Sequence, residues 1–307
     1  MKSILHIVLL SLLALVLAVF LFLYSRPCDY SVGFTTDAKP DVVYYHLLNW
    51  RTWNRKQQAQ IKVRDKHPVS HMEHRVVLPD TLLDFRWEIK NLDDSLTKVS
   101  ACVSDPGRKL KNRLTARVLP TAFKKSVQYN VLDIMRKLES MRETFDFSFE
   151  GPAKFEARHC VYMSVRCPVR QKAHLMIATV SDLNQFVRQN ELGLDGDPFL
   201  LIHNWELGDD SVFFDFCFPV QHIDAIPFHP QISYRYVEEM QACKSVFHGN
   251  YSISDISWLN LAKGLEEAGH SPSGTLIEVY LNDPHSGGNE LEWKAEIFLG
   301  IAKPSAQ

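Results

Sequence analysis

The stretch TLIEVYLNDP, Thr275–Pro284, places a carboxylate, Glu278, inside an otherwise apolar strand-like run. Side chains alternate across a strand, so Leu276, Glu278 and Tyr280 share one face, and Ile277, Val279 and Leu281 share the other. Desolvating an unpaired carboxylate is costly enough that such a group normally has a partner, a ligand or solvent. The face that carries an acid beside a phenol is therefore where function is sought. The opposing expectation is that Glu278 pairs with a nearby lysine, arginine or His203 and only pins the sheet.

Working outward, the chain repeats itself. CVYMSVRC, KAHLMIATVSDLNQFVRQN, PFLLIHNW and SVFFDFCFPV read as strand, helix, strand and strand. ACKSVFHG, SDISWLNLAKGLEEAG, TLIEVYL and LEWKAEIFLGI repeat that order. A duplicated β-α-β-β unit is the simplest account. In the second helix Ser254 is expected as the cap and Gly269 as the stop. Superposing the repeats sets Ile202 on Ile277, His203 on Glu278 and Trp205 on Tyr280. The expectation is one groove between the halves, lined by His203, Trp205, Glu278 and Tyr280, with Glu278 free of a permanent basic neighbour. Tyr251 and Trp293 are read as further walls or as core.

From about Phe155 to Ile301 the chain resembles the GyrI-like small-molecule-binding domain, which is also the effector-binding domain of AraC-type and multidrug-responsive transcription activators. FHGNY is similar to its H-x-G-x-Y turn, IEVYLNDP to its E-x-Y-x-x-D-P hairpin, and FFDFCFPV to a further strand. Trp293 sits where membrane-bound relatives tend to carry tryptophan. The resemblance implies that Glu278 attracts a cationic, aromatic ligand whose planes pack on neighbouring rings.

Upstream, YSVGFTT reads as a strand and KPDVVYYHLLNWRTWN as a helix begun by Pro40, with Val42, Val43 and Leu47 on one side and Trp50 and Trp53 closing the unit. HRVVL, LLDFRWEIK and LTKVSACVS read as strands. After Pro120 the residues Phe123, Val127, Val131, Ile134, Leu138 and Met141 recur at spacings of four, four, three, four and three, one stripe of a helix. Roughly residues 30 to 145 resemble the START-like helix-grip (SRPBCC, polyketide cyclase) group, with LLNWRTWN similar to the end of its first helix. The basic stretch Ser104–Pro120 argues against a ligand cavity in this half, and a packed scaffold is the alternative.

Ile4–Tyr24 carries no formally charged side chain apart from a possible protonated His6 and is long enough to cross about 30 Å of hydrocarbon. It reads as an uncleaved single-pass anchor, which places the protein at the cell membrane with the side of its bulk undecided. The expected plan is α+β: an anchor over residues 1–26, a START-like domain over 27–150, and a GyrI-like domain over 155–303, with Gly151 and Pro152 in a linker.

A balance of 34 basic against 36 acidic residues gives no electrostatic reason to expect nucleic acid. Cys28, Cys102, Cys160, Cys167, Cys217 and Cys243 form no CxxC pair; Cys28 reads as an ordinary thiol and the others as small core hydrophobes. His67, His71 and His74 in HPVSHMEH would share a helix face suited to a metal, but Pro68 and Pro79 favour a loop. No cofactor or metal is expected. Without a GxSxG, phosphate-loop or HExxH motif, the reading is a small-molecule binder that senses or sequesters an amphipathic or cationic aromatic ligand. The alternatives are a membrane-tethered hydrolase of electrophilic small molecules, using Glu278 with Tyr280 or His203 as acid and base, and a protein-interaction module.

Overall fold

Between Tyr30 and Met141 alternation and helical stripe follow the sequence closely. The structure, a computed structural model, describes residues 24–53, 58–93, 96–141, 143–204, 211–284 and 287–302, with scattered positions before residue 24. It divides into two units, Met1–Ser140 and Met141–Gln307.

The first unit contains β1 (Tyr30–Thr36), α1 (Pro40–Leu48), β2 (Gln60–His67), β3 (His71–Val77), β4 (Leu82–Asp93), β5 (Leu96–Ser104), α2 (Lys109–Thr115) and α3 (Ala122–Met141). Its five strands form one antiparallel sheet in the order β1-β5-β4-β3-β2. Pro40 opens α1, where its missing N–H costs nothing, and Val42, Val43 and Leu47 are buried. On α3 Val127, Val131, Ile134 and Leu138 are buried, while Phe123 and Met141 at the ends are half-buried. Trp50 packs against Trp53, His74, Phe85 and Trp87 with ring centroids 5.2 to 6.0 Å apart.

The basic stretch contributes structure as well as surface charge. Arg113 is buried, holds the equally buried Asp29 at 2.8 Å, and donates to the carbonyl oxygens of Tyr24 and Arg26. Asp105 caps the turn into α2 by accepting from the backbone of Gly107 and Arg108. Cys28 is bonded to Cys102 in a disulfide with Cα atoms 5.5 Å apart, which corrects the reading of both as unbridged. The pairing of Ser31 with Cys102 brings the two ends together, a juxtaposition that spacing alone does not reveal.

His67 and His71 face each other across the β2–β3 hairpin, and His74 lies on the opposite face of β3 from His71. Among the described residues no group of His, Cys, Asp or Glu is arranged to hold a metal. The single-pass anchor expected over Ile4–Tyr24, and the cell-membrane localisation with it, is set aside. Among the described residues no helix is long and apolar enough to cross a membrane, and most of that segment lies outside the described residues.

The second unit contains β6 (Phe145–Phe155), β7 (Arg158–Pro168), α4 (Lys172–Gln189), β8 (Phe199–Asn204), β9 (Ser211–Pro219), β10 (Ser233–Val237), β11 (Met240–Gly249), α5 (Ile256–Glu267), β12 (Pro272–Tyr280) and β13 (Lys294–Ile301). Its eight-stranded antiparallel sheet runs β10-β7-β9-β8-β12-β13-β11-β6. The duplication is visible in that order: β7-β9-β8 and β12-β13-β11 mirror one another about the β8–β12 seam, with β10 and β6 added outside. Gly151 and Pro152, read as a linker, lie inside β6 instead. Proline is tolerated because β6 is an edge strand, and a register shift opposite Lys244 and Ser245 absorbs Gly151 at φ +88°.

His74 is fully buried, and burial, aided by Arg51, pushes its imidazole down to about 4. The folded value lies below the ordinary 6.5, so the stability that depends on a neutral ring is complete above pH 6.5 and is lost as pH falls toward 4, where only the unfolded chain takes up the proton. The expected loss is about 3 kcal/mol. Urea unfolding between pH 7 and 4 measures it, and His74→Phe should remove most of the dependence assigned to this ring.

Candidate functional site

Glu278 lies on the helix-covered face of the second sheet. Its Cα partners are Leu200 on β8 and Ile297 on β13, and both its neighbours and its own side chain are fully buried. Three donors converge on the carboxylate. Lys172, the first residue of α4, places Nζ 2.9 Å from Oε2; the Trp258 indole of α5 donates to Oε1 at 2.9 Å; and the Tyr280 hydroxyl donates to Oε2 at 2.6 Å. Lys172 also donates to Ser254 Oγ at 2.7 Å, and its ammonium lies 4.9 Å from the centroid of the Trp258 ring. The expectation that Glu278 has no permanent basic neighbour is overturned. Its partner lies 106 residues upstream at a helix start, where one lysine looks like any other.

The electrostatics follow from this packing. Burial raises the Glu278 carboxyl, but the Lys172 charge and the hydrogen bonds from Tyr280, Lys172 and Trp258 outweigh it and hold the group below its ordinary value. Burial, then the neighbouring carboxylate, pushes the Tyr280 phenol well above its ordinary value. The centre is thus a carboxylate, an ammonium and two neutral donors.

The aromatic surroundings extend from Tyr280 to Tyr251, with centroids 4.7 Å apart, and from Tyr251 to Trp293, 6.0 Å apart. Tyr251 donates to the Lys294 carbonyl at 2.9 Å, and burial pushes its phenol up to about 12. The turn before it needs glycine: Gly249 has φ +144°, and a Cβ there would come within 2.7 Å of Phe145. Ser254 does not cap α5. The cap position is Asp255, and Ser254 donates to the Tyr251 carbonyl while receiving Lys172.

His203 is elsewhere. Leu201 pairs with Ile277 and Leu200 with Glu278, so His203 belongs by parity with Ile277 on the opposite face. There its Nε2 lies 2.8 Å from Asp215, a buried carboxylate also held by Arg235 at 2.8 Å and by Ser164. A hollow of about 630 Å³ opens beside this cluster, floored by Leu201, Val237 and Ile277 and bordered by His203, Arg235 and Glu238. Trp205 lies outside the described residues. The structure therefore brings Glu278, Tyr280, Tyr251 and Trp293 together and separates His203 from them. It adds Lys172, Trp258 and Ser254, of which the sequence singles out only Ser254, and that as a helix cap.

Residues 153–302 match the family of GyrI-like small molecule binding domains. The second unit carries a GyrI-like domain. No curated protein matches the chain. Among solved structures, the crystal structure of the EcmrR C-terminal domain is 20% identical, covers 52% of this chain and 98% of that one, and has a TM-score of 0.44. The cryo-EM structure of an EcmrR–DNA complex is 16% identical, covers 64% of this chain and 72% of that one, with a TM-score of 0.44. SAV2435 bound to tetraphenylphosphonium is 11% identical, covers 50% of this chain and 94% of that one, with a TM-score of 0.35.

Removing one member of a buried ion pair strands the other charge. Glu278→Gln is expected to cost about 3 kcal/mol of unfolding free energy, and Lys172→Met combined with Glu278→Gln to cost less than the sum of the single changes. Denaturant unfolding of the four proteins in the cycle measures the coupling.

Proposed function

We propose that the chain is a small-molecule-binding protein whose GyrI-like unit receives an organic cation bearing an aromatic or apolar group at Glu278. The supporting observation is that an ammonium already occupies this place: Lys172 sits between the carboxylate and the face of Trp258. A buried carboxylate with an indole wall recognises positive charge whichever molecule supplies it. Tyr280, Tyr251 and Trp293 supply the neighbouring ring surface. Sensing or sequestration needs no further chemistry than this, and we read the first unit, with its element order and buried α3 stripe, as a START-like scaffold.

Phenyltrimethylammonium titrated into the protein, followed by tryptophan fluorescence, is expected to bind at least tenfold more tightly than its uncharged isostere tert-butylbenzene, with Glu278→Gln abolishing the preference. Equal binding of the two compounds would remove the carboxylate from recognition.

A hydrolase is the second reading, favoured by the pairing of His203 with Asp215 beside the hollow on the opposite face. A carboxylate that orients an imidazole is the arrangement a general base requires. Turnover of an epoxide substrate that is lost in His203→Ala and kept in Glu278→Gln would select this reading over the first.

A further inference from the structure

We infer that Lys172 is an intramolecular ligand, a plug that fills the Glu278 cage and must withdraw before an external cation enters. This inference rests on the cation-binding reading of Glu278 and adds its regulation. Three observations carry it. The first is geometric: Nζ contacts Glu278, Ser254 and the Trp258 face in the way a small ammonium ligand would, with neither Lys172 nor Glu278 exposed to solvent. The ring, the hydroxyl and the carboxylate come from the second repeat, whereas Lys172 comes from the first, so the cage is built without the residue that fills it.

The second observation is location. Lys172 follows the single turn Val169–Gln171, in which Arg170 and Gln171 are exposed. The ammonium is buried, yet the backbone that carries it adjoins the surface. Rotation of a flexible four-carbon stem, with a small adjustment at the start of α4, delivers a strongly hydrated charge to water.

The third is charge balance. Ejecting Lys172 alone strands Glu278, which is strongly unfavourable. Ejecting it in exchange for another cation keeps the carboxylate paired and the indole face covered, so the exchange is selective for positively charged ligands. A neutral molecule of the same shape meets the full cost of breaking the pair. The plug also lowers apparent affinity: if it is withdrawn in about one molecule in a hundred, binding is about a hundredfold weaker than to an unplugged cage.

The experiment uses the full-length wild-type chain with phenyltrimethylammonium as probe. Lysines are acetylated under limiting reagent, with and without saturating probe, and the extent at Lys172 is read by peptide mass spectrometry against exposed Lys154 as the internal control. Lys172 should be protected in the free protein and become at least tenfold more reactive at saturation, while Lys154 is unchanged. In parallel, Lys172→Met should bind the cation at least tenfold more tightly than wild type. Saturable, charge-selective binding with Lys172 still protected, or with Lys172→Met binding no better, overturns the plug and leaves the cation site standing. Absence of charge-selective binding in both proteins overturns both. If Lys172→Met does not fold, the labelling of the wild-type protein decides alone.

Discussion

The buried pair of Lys172 and Glu278 is the constraint around which the second unit is organised. Two fully desolvated charges are tolerated only when their remaining hydrogen-bonding capacity is met, and here Trp258, Tyr280 and Ser254 meet it. The pair also spans the seam between the two repeats. The repeats join through β8 and β12, which pair at Leu276–Val279 against Phe199–Ile202, with Tyr280 N donating to the Pro198 carbonyl just beyond. Lys172 of one repeat reaching Glu278 of the other ties them on the helix side of that seam. Nonspecific apolar packing would bury the same strands without fixing α4 in one register.

The opposite face repeats the logic with a different outcome. Asp215 is as buried as Glu278 and is likewise paired with a cation, Arg235, while His203 adds a hydrogen bond. These two partners, however, are about a third exposed and border a hollow, whereas Lys172 has no exposure at all. Arg235 further lies 4.1 Å from the centroid of the Tyr162 ring, so this cluster is braced by aromatic stacking and open to solvent at its rim. The two carboxylates thus separate two properties, closure on one face and access on the other.

The elements themselves were legible because their signals are local. The stripe from Val127 to Leu138, proline opening α1 and the alternation through Glu278 and Tyr280 each require only neighbours in sequence. Parity across strands is not local. His203 was placed beside Glu278 by a one-residue error in superposing the repeats, and with period-two alternation that error exchanges faces completely. Lys172 and Cys102 were missed for a related reason: their partners are set by the topology, which a count of lysines or cysteines does not contain. Gly151 and Pro152 misled in the other direction, since the residues that mark a linker also mark a bulge on an edge strand.

The structural and recognition readings of Glu278 are not rivals in energy, because they invoke the same interaction. A carboxylate held below its ordinary protonation range between an indole and a phenol must be charged, and a charged group in that position must be paired at all times. Lysine suits the role of a replaceable partner. Its ammonium makes point contacts with one oxygen of Glu278 and one of Ser254, whereas a guanidinium would engage both carboxylate oxygens in a planar fork and compete with Trp258 for Oε1. Trp258 and Tyr280 thus hold the two carboxylate oxygens through hydrogen bonds of their own, separate from that of Lys172. That division of labour, with orientation by neutral donors and neutralisation by a single flexible cation, is what the proposed second role of this carboxylate, as a receptor for positive charge, would draw on.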